Sequence, residues 1–187
     1  MTYEIPLSTA SLGTGLVLAT SSLPGLLMAE SVRQFLLKLP RSFTAGVVML
    51  IASALWVLWL LSFVLDLGEF TPQRGNMILL VLALAIATAL FLPDFLFCRA
   101  WGIFLLLSTE ILLSACFPHD TPWKLVLVVM AYSWAVCGLV FVCAPYTLRN
   151  LLERWNSSST MTRISSSLNL LLGLLLIILS QTAFLGK

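Results

Sequence analysis

The chain has 187 residues, of which 60% are hydrophobic and only 10% charged, and its mean hydropathy is +1.04. Soluble domains carry about 25% charged residues, so the composition excludes a soluble globular fold and indicates an integral membrane protein. A net charge of +2, with no basic run or aromatic platform, excludes nucleic acid as a partner.

A helix needs about 17–25 residues to cross the hydrocarbon core, and six apolar stretches have that length: 7–28, 42–65, 76–92, 95–117, 123–144 and 166–185. The first is preceded by Glu4 and by no Lys or Arg. A cleavable signal has a positive n-region, so this stretch reads as a retained span. The second runs into "LDLGEFTPQRGN", where Asp66, Glu69 and Arg74 form a candidate docking surface. Two carboxylates three residues apart bind a cation weakly and do not make a metal site. The third contains "ALAIATA", with Ala83 and Ala87, and Ala85 and Ala89, at the small-xxx-small spacing that lets helices approach. Pro93 and Asp94 turn the chain into the fourth span, where Asp94 and Arg99 are a candidate ion pair at the membrane surface.

Glu110 lies about halfway along the fourth span. An acid at mid-helix costs about 2.5–3.5 kcal/mol on insertion scales and usually faces protein or water. Arg99 falls on nearly the same face but about 16 Å away along the axis, too far for a pair. The expected donors are Thr88, Ser108, Thr109, Ser114, Tyr132, Ser133 and Trp134. Either Glu110 handles a proton or cation, or it is a neutral acid joining helices.

Two connections share one pattern. Val32, Phe35, Leu36 and Leu39 stand at i, i+3, i+4 and i+7, and Leu148, Leu151, Leu152 and Trp155 repeat that spacing. The opposite faces carry Arg33, Gln34 and Lys38, and Arg149, Asn150, Glu153 and Arg154. The segments 31–39 and 147–156 are therefore expected to be short amphipathic helices in the headgroup layer. Lipid-headgroup contacts are expected from Arg33, Lys38, Arg41, Arg149 and Arg154. The shared pattern suggests a bundle of three hairpins, the first and third related by distant duplication.

With six spans, one side of the membrane holds Arg33, Lys38, Arg41, Arg99, Arg149, Arg154 and Arg163, and the other holds Arg74, Lys124 and Lys187. Cations resist translocation, so both termini are expected outside, in the periplasm of a bacterial inner membrane. Most of the six tryptophans fall near span ends, where aromatic rings anchor in the interface.

Cys98, Cys116, Cys137 and Cys143 form no CxxC and read as small buried hydrophobes. His119, beside Asp120, is the one histidine, so a histidine-rich metal centre cannot be built from this chain alone. No nucleophile elbow, P-loop or HExxH occurs. Asn156 begins a glycosylation sequon, but on the expected inner side it would go unused. No cofactor and no metal is expected.

The segments "WLLSFVLDLGEF", "DFLFCRAWGIFLLL" and "APYTLRNLLERW" together resemble a family of small six-span bacterial inner-membrane proteins with no assigned activity. The matching positions are 66–70, Arg99 and 145–149. The resemblance implies six spans and no particular chemistry. The sequence thus leads to one all-α domain and to a non-enzymatic subunit or scaffold that binds other membrane proteins or its own copies. A small proton- or ion-coupled transporter or channel using Glu110 is the alternative, and an intramembrane lipid enzyme comes third.

Overall fold

The structure is a computed structural model that describes residues 6–65, 68–117 and 121–182. Eight α-helices follow in chain order: α1 (Leu7–Leu27), α2 (Ala29–Lys38), α3 (Phe43–Trp59), α4 (Arg74–Phe91), α5 (Leu96–Cys116), α6 (Lys124–Cys143), α7 (Tyr146–Trp155) and α8 (Ser159–Thr182). Helix α3 continues through a π-turn at Leu60–Val64. With that turn, α1, α3, α4, α5, α6 and α8 are long and apolar enough to cross a membrane. Helices α2 and α7 are the short amphipathic connectors.

Local chemistry sets the boundaries. The Ser42 hydroxyl accepts from the Ala45 N–H at 3.2 Å and starts α3. Phe95, in the left-handed region at φ 56°, makes the sharp turn that Pro93 and Asp94 announce. Helix α8 begins at Ser159, seven residues before the expected 166. The Ser158 hydroxyl accepts from the Met161 N–H, while Thr162, Ser165 and Ser167 donate to carbonyls one turn back. Hydroxyls satisfied in this way let a polar stretch continue as helix.

Packing follows glycine rather than sequence order. Helix α1 lies along α8, and a Cβ added at Gly15 would stand 2.8 Å from the Gly173 carbonyl oxygen. Helix α5 lies along α6, and a Cβ added at Gly102 would stand 2.7 Å from the Gly138 oxygen. The two crossings share a further detail. Ser180, seven residues after Gly173, donates to the carbonyl of Ser8, seven before Gly15, at 2.8 Å. Thr109, seven after Gly102, donates to the carbonyl of Ala131, seven before Gly138, at 3.3 Å. Ser11 adds a bond to the Leu176 carbonyl at 2.8 Å.

Helix α3 packs on α5, where Gly46 approaches Phe97 and Trp56 meets Phe104 edge-on at 5.3 Å. Helix α4 packs only lightly on α3, and none of its residues is buried. The main pairings therefore join the first span to the last, the fourth to the fifth, and the second to the fourth; they are not the consecutive hairpins expected from chain order. Leu7, Leu112, Cys116, Leu127, Ala131, Leu176 and Leu179 bring α1, α5, α6 and α8 together at one end. At the other, cationic end, Cys98, Phe141 and Leu148 seat α7 against α5 and α6.

Candidate functional site

Glu110 occupies the fifteenth position of α5, about 9 Å from its far end, and so lies shallower than mid-span. It is half-buried, and among the described residues its carboxylate has no hydrogen-bond or ion-pair partner. The serine and threonine hydroxyls expected to serve it are occupied elsewhere, and Tyr132 is exposed. Ser108 donates to the Phe104 carbonyl, Thr109 to Leu105 and Ala131, Ser114 to Ile111, Ser133 to Val129, and Thr88 to Leu84. Hydroxyls of membrane helices satisfy themselves on the preceding turn, and the donor list overlooked that competition.

The structure does not bring Asp94 and Arg99 together. Asp94 is exposed, and the two form no ion pair among the described residues. Arg99 is half-buried, with its Nε buried and unbonded. The cation at this turn is Arg149 of α7, whose guanidinium lies 5.8 Å from the centre of the Phe95 ring. Arg149 Nε also stands 3.3 Å from Glu153 Oε1, an ion-pair contact whose geometry falls outside a hydrogen bond.

Arg33 is a link within the protein more than a headgroup contact. Its Nε donates to the Asn156 carbonyl at 2.9 Å and its Nη1 to Glu30 Oε1 at 2.9 Å. Asn156 is only 4% exposed; its Nδ2 donates to the Leu152 carbonyl and its Oδ1 accepts from Thr162. A cation at the C-terminus of α7 is favourable on helix-dipole grounds. The network joins α2, α7 and α8, and the sequence reading missed it by treating Asn156 only as a sequon. Asn directly after a helix with a basic last turn was the available signal. Lys38, Arg41 and Arg154 are exposed and free to meet headgroups.

In the opposite loop, Arg74 also turns inward. Its two terminal nitrogens donate to the carbonyls of Ser62 at 3.1 Å and Leu65 at 3.0 Å, closing the π-turn at the end of α3. Glu69 is exposed, whereas Asp66 lies outside the described residues, as do His119 and Asp120. Cys98 and Cys116 are buried free thiols; Cys137 and Cys143 are exposed, contrary to the expectation that all four are buried. Among the described residues no three of His, Cys, Asp and Glu come together. Comparison with protein-family models, curated proteins and solved structures finds no match, so the resemblance to six-span inner-membrane proteins gains no support from them.

Proposed function

We propose that the chain is a non-enzymatic integral membrane subunit that associates with another membrane protein. One observation carries the reading: the half-buried Glu110 carboxyl has no partner among the described residues. A polar group within a span is stabilised by a hydrogen bond from a neighbouring helix, worth about 0.6–1.7 kcal/mol. Here the donor would come from a second chain. The unburied flank of α4 offers such a chain an apolar surface. In this reading the cationic end faces the cytoplasm of a bacterial inner membrane and both termini face the periplasm. Helices α2 and α7 then lie in the inner headgroup layer, with Lys38, Arg41 and Arg154 toward lipid.

Gentle-detergent purification with a photocrosslinker at Leu106, one turn from Glu110, tests this. The expected result is one membrane protein in stoichiometric amount, crosslinked at Leu106, and retained about threefold to twentyfold less by Glu110→Ala. A protein that elutes alone overturns the proposal. If Glu110→Gln also abolished ion flux in vesicles, the transporter reading would replace it.

A further inference from the structure

The inner third of α8 and the end of α7 border an open two-part groove. One part, about 430 Å³, runs between Trp155 and α8 past Ser165, Asn169 and Leu175; the second, about 370 Å³, continues from Trp155 and Ser165 to Arg154. Both fall in the size range of small-molecule sites. The lining is apolar along its length, from Met161 and Ile164 to Leu168, Leu172 and Leu175, with Arg154 at the α7 end and Ser165 and Asn169 as the polar groups on α8. Ser165 and Leu175 are ten residues apart, about 15 Å of helix, which equals half of the roughly 30 Å hydrocarbon core.

Two unpaired groups indicate the occupant. Arg154 is exposed and forms no ion pair among the described residues, since Glu153 faces Arg149 instead. The Asn169 amide is exposed on a membrane-spanning helix, about 15 Å from its start, with no hydrogen-bond partner among the described residues. A bare amide at that depth is costly. The geometry points to a binding site for one anionic glycerophospholipid of the leaflet that holds α7. Its phosphate pairs with Arg154, an ester carbonyl accepts from Asn169, and one acyl chain lies along Leu168, Leu172 and Leu175 beneath the Trp155 ring. The site is independent of any protein partner at Glu110, which lies on a different helix.

Native mass spectrometry of the full chain in nonionic detergent, titrated with phosphatidylglycerol against acyl-matched phosphatidylcholine, tests it. One phosphatidylglycerol is expected to remain bound in preference to phosphatidylcholine. Arg154→Ala should weaken retention about tenfold and Asn169→Leu about threefold. Arg163→Ala, on the opposite face of α8, should leave it unchanged. These positions are exposed, so the variants keep the fold, which a thermal melt checks. A second readout is quenching of tryptophan fluorescence by brominated acyl chains, with a component that disappears in Trp155→Phe. Equal retention of both lipids, an equal loss in Arg163→Ala, or no quenching assignable to Trp155 overturns the site.

Discussion

Helix pairs α1/α8 and α5/α6 differ sharply from α4, although all six spans are apolar. Each pair crosses at facing glycines, and a side-chain hydroxyl of one helix bonds to a carbonyl of the other. Helix α4 has four alanines at interface-competent spacing and still buries nothing. In lipid, apolar character does not draw helices together, because the tails are equally apolar; close backbone approach and hydrogen bonds do. Of the α4 stripe, Ala83 is exposed, and Ala89 packs only at the edge of the Leu50, Leu96 and Ala100 cluster.

The largest effect expected is at a crossing. Gly102→Leu would push a side chain into the Gly138 carbonyl and should cost about 3 kcal/mol, seen as a lower thermal midpoint in detergent. Gly13→Leu has open space around it and should leave the midpoint unchanged; equal losses in the two variants would mean that the crossing is not what holds the pair. Next comes Arg33→Ala, which removes the bond to the Asn156 carbonyl. Bonds involving a charged group are worth about 1.5–3 kcal/mol, so amide exchange across 146–156 should quicken at least tenfold while that in α5 and α6 holds. Arg74→Lys should have a smaller effect, about 1 kcal/mol, because an ammonium cannot span the Ser62 and Leu65 carbonyls as a planar guanidinium does. Faster proteolysis between 60 and 74 would report it. The smallest effect belongs to α4: Ala83→Leu should stay within about 0.5 kcal/mol of the parent. A loss above 1 kcal/mol would show that α4 is packed after all and dissolve the contrast.

The six long helices and both amphipathic connectors were legible because span length and 3.6-residue periodicity are local properties. Their pairing was not. The sequence drew the eye to Ala83, Ala85, Ala87 and Ala89, whereas the close contacts fall at glycines: Gly15, Gly25 and Gly173 join α1 to the distant α8, Gly46 joins α3 to α5, and only Gly102 and Gly138 join spans consecutive in the chain. Glu110 was legible as an anomaly, but its surroundings were not, because the backbone carbonyls competing for Ser108, Thr109 and Ser114 appear only once the helix is built. Arg33 and Arg74 read as surface cations by type; Asn156 and the open end of α3 reassign them.

The union of the first and last spans also sets a timetable. Ser11 bonds to a carbonyl 165 residues downstream, and ribosomes add roughly 5–20 residues per second. Helix α1 therefore waits on the order of ten to thirty seconds in the bilayer before α8 emerges. Helices α5 and α6 can join as soon as both are made. During that interval the Gly15 face of α1 is open to any other helix with a small residue at the right height, so assembly errors should concentrate there.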